Sequence, residues 1–429
     1  VSAAVGGIGA APGLVAWRSL GAEGGLFLEA AEVLRVELAL QAPLGTAAGV
    51  HRARPVVLVR LACRRTDGMV VEGWGECAAL ADTTYDAEDA TSCQDHLSTV
   101  LLPALAAQAE ATGGLLASLS ALERLADGGA PGAGAHERRD RPLAWAALEM
   151  AVADAHLRAA GRSLADLLGV GGAAVEPGAV VGTAPDAAQV VAAVEALADE
   201  GYGRVKVKIA PGGDVGPLGA LAAWAADRAA GAPGAVTPRL HVDANGAYPS
   251  DAVAHLGSFD RFGLLCIEQP FGRHDLAASA ALVAVAATPV CLDESVGSVD
   301  DLVGAVTRGA ASAACIKPAR LGGVGPALEA IAWCQARRVP WLLGGMFETG
   351  MARSANTVLA ALDGPRLPGD LAPAASYLVE DIVPPAETSR PGPGAVLTVA
   401  TYGGPGIGPA PDATVVGRST SWRTALAVR

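Results

Sequence analysis

Positive charge is in short supply. The 429 residues hold 31 Lys and Arg against 44 Asp and Glu, a net charge of −13, and the pI is about 5.0. A global basic footprint for nucleic acid is therefore missing, and an acidic surface repels anionic lipid. Clustered cysteine is missing too. The seven cysteines (Cys63, Cys77, Cys93, Cys266, Cys291, Cys315, Cys334) are scattered with no CxxC or Cys/His group, which argues against zinc and against a disulfide framework. Cys266, Cys291 and Cys315 sit in apolar runs and read as buried thiols of a reducing cytoplasm. No GxGxxG or Walker pattern occurs, so a nucleotide-binding open sheet lacks its usual phosphate loop.

A membrane-spanning run is also absent. Mean hydropathy is high at +0.36. Even so, the longest uncharged apolar stretch, Leu276 to Leu292, is interrupted by Ser279, Thr288 and Pro289 and flanked by Asp275 and Asp293. A spanning helix needs about 20 apolar residues, and a short helix followed by a buried strand fits better. Val1 to Trp17 carries no basic lead-in, which argues against a secretory signal. Residues 1–25 read as a Gly/Ala-rich extension.

What is present is a large core: 51% apolar against 17% charged residues excludes disorder for most of the chain. Leu26 to Arg65 alternates as strand. Asp67-Gly68 then turns into a hairpin partner, Val70 to Glu76, and helical text runs from Ala87 to Leu125. Residues 26–140, ending in the loop Gly128 to Asp140, form the expected α+β domain. From 141 to 375 short apolar runs alternate with Ala/Leu-rich helices, as in a parallel (β/α) barrel. Residues 376–429 are expected to supply the last barrel strand and a segment returning to the first domain.

Five consecutive runs end in an ionisable residue: Lys208, Asp243, Glu268, Asp293 and Lys317. The three carboxylates are 25 residues apart in turn and Lys317 follows 24 later, about one β/α unit each time. Barrel strand ends converge on one mouth, where active sites lie. Taken singly, each acid reads as a helix cap or turn residue; the series of five is what marks a site. Clustered carboxylates repel unless a cation neutralises them. Oxygen donors without Cys or His favour Mg²⁺, with Mn²⁺ as the alternative. Such an ion stabilises the enediolate formed when a proton leaves the carbon beside a bound carboxylate. A lysine serves as base when a neighbouring cation favours its neutral amine. Lys206, on the same strand face as Lys208, is expected to provide such a cation.

These residues resemble the enolase superfamily in its muconate-lactonizing-enzyme subgroup. The matching text is Lys206-Val207-Lys208, Asp243-Ala244-Asn245-Gly246, Ile267-Glu268-Gln269-Pro270, Leu292-Asp293-Glu294-Ser295 and Lys317. Ile316 to Gly323 and Gly345 to Gly350 resemble the o-succinylbenzoate synthase and N-succinylamino acid racemase family, and Gly73 to Cys77 with Tyr85 resembles its cap. The resemblance implies a modified (β/α)₈ TIM barrel under an N-terminal α+β capping domain. It also implies a small-molecule carboxylate substrate and Mg²⁺ held by Asp243, Glu268 and Asp293. Lys208 is implied as the base and Lys317 as the electrostatic stabiliser on the opposite face. The implied reaction is syn dehydration of 2-succinyl-6-hydroxy-2,4-cyclohexadiene-1-carboxylate, a step toward menaquinone. In a racemase the same lysines exchange the roles of base and acid. Lys206, Asn245, Glu348 and Arg320 are expected as supporting or substrate-binding residues, Glu348 by ordering Lys317 or the pocket, Arg320 by meeting a substrate carboxylate or a surface acid. A homo-oligomer is compatible with all of this.

Departures from the family text are informative. Many racemase-capable relatives read Gly-Val-Ser-Ile-Gly on the first barrel strand, where this chain has Gly178-Ala179-Val180-Val181-Gly182. Val180 either removes a hydroxyl that meets the substrate in those relatives or is an ordinary packing residue. The Ser376 to Val379 region lacks the Asp-x-Asp pair of dipeptide epimerases, and Lys317 stands where mandelate-racemase-type enzymes use a His/Asp dyad. The resemblance implies that the family's capping loops, which shape substrate choice, fall near Ala42 to His51 and Ala79 to Tyr85.

Overall fold

A computed structural model describes residues 11–20, 25–46, 49–112, 114, 115, 120, 140–183, 186–231, 234–392 and 394–428. The expected loop at 128–140 lies outside the described residues except for Asp140. Within the N-terminal extension, Pro12–Arg18 forms helix α1, started by its proline and packed through Leu14 into the main core.

The cap begins with β1 (Leu26–Thr46), β2 (Gly49–Arg65) and β3 (Val70–Cys77), an antiparallel meander. The Asp67-Gly68 turn forms as expected, with Gly68 at φ 89°. Helices α2 (Ala90–His96) and α3 (Leu102–Thr112) follow. Asp89 starts α2 through a reciprocal capping box with Ser92. Helix α4 (Pro142–Ala159) is Ala-rich and almost wholly buried. A Cβ on Gly73 or Gly75 would collide with the α4 backbone at Ala151 or Ala147, so these two glycines let helix and strand meet at backbone distance.

The barrel staves are β4 (Gly178–Val181), β5 (Arg204–Lys208), β6 (Arg239–Asp243), β7 (Ile267–Glu268), β8 (Val290–Leu292), β9 (Ala313–Ile316) and β10 (Trp341–Leu343). They pair in parallel in strict chain order. The connecting helices include α5 (Ala187–Glu200), α6 (Val215–Gly231), α7 (Leu276–Val285), α8 (Val299–Thr307), α9 (Val324–Arg337) and α10 (Gly350–Ala360). The apolar stretch from Leu276 is thus a helix and then a buried strand, and no helix among the described residues is long and apolar enough to cross a membrane.

The closing stave lies earlier than expected. Pro365 to Asp370 bonds to β10 on one side, with Asp370 N 2.8 Å from Leu343 O, and to Gly178 on the other, at 2.7 Å from Gly369 O. Ser376 to Val379, assigned to that role from sequence, instead pairs with the cap through Gln41 N to Tyr377 O and Val379 N to Ala39 O, both 2.9 Å. Proline and glycine in Arg366-Leu367-Pro368-Gly369 hid the stave from any strand pattern. The chain ends in β11 (Thr420–Ala427), which returns to the cap as an edge partner of β1.

Candidate active site

The parallel register fixes the site. Lys208 pairs with Asp243 and Asp243 with Glu268, so the stave ends come level at one mouth. The side chains of Asp243, Glu268, Asp293 and Lys317 are buried there, while Lys208 is partly open. Lys208 Nζ lies 2.6 Å from both Asp243 Oδ2 and Asn245 Oδ1. Lys317 Nζ lies 2.7 Å from Asp293 Oδ2. The two lysines thus flank the acids from opposite sides of the row.

Electrostatics follow from burial and crowding. Burial pushes the Asp243 carboxyl up, but Lys206 and Lys208 hold it down at about 2. Glu268 is pushed up to about 8, first by burial and then by Asp243 and Asp293, against the pull of Lys206. Burial opposes the charge on Lys317, yet Asp293 carries that ammonium well above the usual lysine range.

A layer lower, two residues back on each stave, sit Lys206, His241, Cys266, Cys291 and Cys315, all buried. Lys206 Nζ reaches Asp370 Oδ2 at 2.6 Å, Glu268 Oε1 at 2.9 Å and Asp243 Oδ2 at 3.3 Å. Its charge is thus matched by three carboxylates, and it braces the acid ring from below. His241 Nε2 lies 2.7 Å from Glu268 Oε2, and its Nδ1 lies 2.5 Å from Arg204 Nη2. Neither His241 nor Asp370 stood out from sequence. The usable signal was His241 two residues before Asp243; Asp370 was hidden with its stave.

Gln269, directly after Glu268, takes a left-handed φ of 36°. Its Oε1 accepts from Asp293 N (3.0 Å) and Ser295 N (3.1 Å), tying the ends of β7 and β8 together. Asn245 also has positive φ, at 44°, and donates from Nδ2 to Tyr85 Oη and Glu294 Oε1, both 2.9 Å. Backbone strain is therefore spent next to the acids.

For two supporting residues one of the two expected partners is excluded. Arg320 meets no surface acid. It is buried, with Nη1 2.5 Å from Asp293 Oδ1 and Nε 3.1 Å from Asp86 Oδ2 of the cap. The Glu348 carboxylate is taken by Arg353 Nη2 (2.7 Å) and Asn356 Nδ2 (3.0 Å), so its partners belong to α10 and not to Lys317. The cap supplies a roof. The Tyr85 ring lies 5.0 Å from Lys317 Nζ and 5.9 Å from Arg320 Cζ. Arg54 donates to Ala78 O (2.8 Å) and Phe347 O (3.2 Å), and Glu76 accepts from Thr349 N (2.9 Å), so buried polar bonds seat the cap on the loop after β10.

The donor set fits a hard divalent cation: oxygen donors on neighbouring stave ends, with ligand atoms of Glu268 and Asp293 within 4.8 Å of each other. Cys315 Sγ completes that triplet. Burial, with Asp293 and Glu268 nearby, holds its thiol well above the usual range, and protonated sulfur is a poor Mg²⁺ ligand. Asp243 stands outside the triplet, engaged by Lys206 and Lys208.

Comparison with known proteins agrees with this architecture. Residues 189–415 match the enolase C-terminal domain-like family and residues 30–169 the mandelate racemase / muconate lactonizing enzyme N-terminal domain. The chain is 36% identical to an N-succinylamino acid racemase of an Amycolatopsis species, over 90% of this chain and 95% of that protein. It is 33% identical to an o-succinylbenzoate synthase of Geobacillus stearothermophilus, over 82% and 86%. A crystal structure of an enolase-superfamily member from Listeria innocua superposes with a TM-score of 0.79 at 28% identity, covering 94% of this chain and 100% of that one. Capped barrel and relatives together define an enolase-superfamily enzyme. Within the superfamily, the chain belongs to the family of o-succinylbenzoate synthases and N-succinylamino acid racemases.

Proposed function

We propose that the protein is an o-succinylbenzoate synthase. It would convert 2-succinyl-6-hydroxy-2,4-cyclohexadiene-1-carboxylate to 2-succinylbenzoate and water, a step toward menaquinone, and would work in the cytoplasm. The observation that carries the reading is the pair of lysines, Lys208 and Lys317, facing each other across Asp243, Glu268 and Asp293. Those three carboxylates would hold Mg²⁺. When bound, the ion supplies neutralising charge for the enediolate that follows proton loss.

Lys208, the more open of the two, takes the proton from the carbon beside the substrate carboxylate. The ring C–O bond then breaks, and Lys208 returns the proton to the departing hydroxide as water. Lys317, buried and charged, stabilises the developing anion from the other face. Asn245 holds Lys208 through Oδ1, and Arg320 holds Asp293.

Racemisation of N-succinylamino acids is the second reading. It is favoured by the Amycolatopsis relative at 36% identity and by lysines on both faces. Against it, Val180 shares the strand face of its register partner Lys206, is 47% exposed, and offers no hydroxyl. The test follows product absorbance from the cyclohexadiene substrate with Mg²⁺, beside polarimetry on N-succinylamino acids. Dehydration is expected; brisk racemisation without dehydration would overturn the assignment in favour of the second reading.

A further inference from the structure

His51 Nε2 lies 2.6 Å from Asp82 Oδ2, and both side chains are mostly buried. The pair joins the two segments where the family resemblance places the cap's loops, Ala42 to His51 and Ala79 to Tyr85. Each segment is anchored elsewhere by backbone.

The described residues of the first belong to the far end of the β1–β2 hairpin, where pairing resumes after a register shift between Ala39 and Leu44 with Leu44↔His51 and ends at Thr46↔Gly49. At its base Gln41 and Ala39 bond to Tyr377 and Val379, and Leu40 bridges Leu378. The second segment is closed at its neck by a bridge between Leu80 and Asp89, with Ala90 N 2.7 Å from Leu80 O. Asp82 Oδ1 accepts from Thr84 N at 2.9 Å and fixes the turn that leads to Tyr85. Tyr85 then covers Lys317 and Arg320 and meets Asn245, while Asp86 meets Arg320. The bond from His51 to Asp82 therefore ties the outer part of the hairpin to the segment that carries Tyr85.

We propose that His51 is a positioning residue: its bond to Asp82 latches the hairpin onto the Leu80 to Asp89 loop and holds Tyr85 as the roof of the substrate cavity. The latch sets how tightly substrate is enclosed and leaves the chemical step to the lysines. It rests on the carboxylate-substrate reading above. An isolated ion pair on open surface contributes little; a partly buried pair between two separately anchored arms acts on their relative position, which is what substrate capture depends on.

The test uses the full chain with Mg²⁺. His51→Ala is expected to raise KM about three- to tenfold with kcat within about twofold, the size expected for one charge-assisted hydrogen bond. His51→Gln, whose Nε2 amide still donates to Asp82, is expected to restore KM. An unchanged KM in His51→Ala, or no recovery in His51→Gln, overturns the proposal. A second measurement needs no turnover. Amide hydrogen exchange in the ligand-free protein is expected to speed up in residues 80–89 of His51→Ala and to stay the same in the barrel staves. Unchanged exchange at 80–89 also overturns the latch. Absence of any turnover by the unaltered protein overturns the functional reading instead, and the exchange measurement still decides the latch.

Discussion

At the scale of single residues, period-two placement on a stave decides what each side chain does. Lys208, Asp243, Glu268, Asp293 and Lys317 were legible because each ends an apolar run and the runs repeat at one β/α interval. Of the layer beneath, only Lys206 was read; His241 and Asp370 were not, since their partners come from distant parts of the chain. The same limit applied to Arg320, whose acids are Asp293 and the cap's Asp86.

Residue identity also sets the acid response. His156 is buried in α4, and its Nε2 has no hydrogen-bond partner among the described residues. Burial pushes its imidazole down to about 4 from the usual 6.5. The folded state therefore binds fewer protons than the unfolded one between those values. The stability gained from a neutral imidazole is present above pH 6.5 and is lost progressively as pH falls toward about 4. Relative to a His156→Leu variant, the natural protein is expected to lose about 2 kcal/mol between pH 7 and pH 5. Urea unfolding at both pH values measures it, and identical pH dependence in the two proteins would contradict the assignment.

Among elements, the contact between β3 and α4 shows what sequence text conveys and what it conceals. Strand and helix were both readable, but their meeting was not, although Gly73 and Gly75 point to it. α4 also reaches the barrel, where Glu149 accepts from Val324 N at 2.6 Å and Gly325 N at 2.8 Å at the start of α9. A methyl on Gly75 has nowhere to go except into the α4 backbone. Gly75→Ala is expected to cost about 3 kcal/mol or more, by overpacking that a helix backbone cannot relieve. Gly219, inside α6 with nothing within 4 Å of an added Cβ, is the contrast. Gly219→Ala is expected to stabilise by about 0.5–1 kcal/mol through helix propensity. Thermal unfolding of the two variants checks both signs; a Gly75→Ala protein as stable as its parent would refute the close approach.

For the whole molecule, the cap lies over the charge-bearing mouth of the barrel, with Tyr85 against Lys317 and Arg320. The alternating pattern of β1 to β3 and the staves after them were enough to read a cap and barrel. The closing stave escaped because Pro368 and Gly369 break the strand pattern, and closure depends on backbone bonds to β4 and β10 that no local rule encodes. The cap–barrel seam escaped as well: Arg54 and Glu76 look like ordinary strand charges until they are seen against Phe347 and Thr349. If the proposed reaction holds, such a roof would exclude water while charge forms on the substrate.

The most direct test of the account is loss of the α-proton itself. Turnover of the cyclohexadiene carboxylate would be compared for the deuterated and protiated C–H bond, with Mg²⁺, with chelator, and in Lys208→Ala and Lys317→Ala. We expect Mg²⁺-dependent dehydration with slower reaction of the deuterated substrate, and a loss of at least about a thousandfold in either variant while Mg²⁺ still binds. Full turnover in the Lys208→Ala protein, or dehydration that persists under chelation, would contradict it.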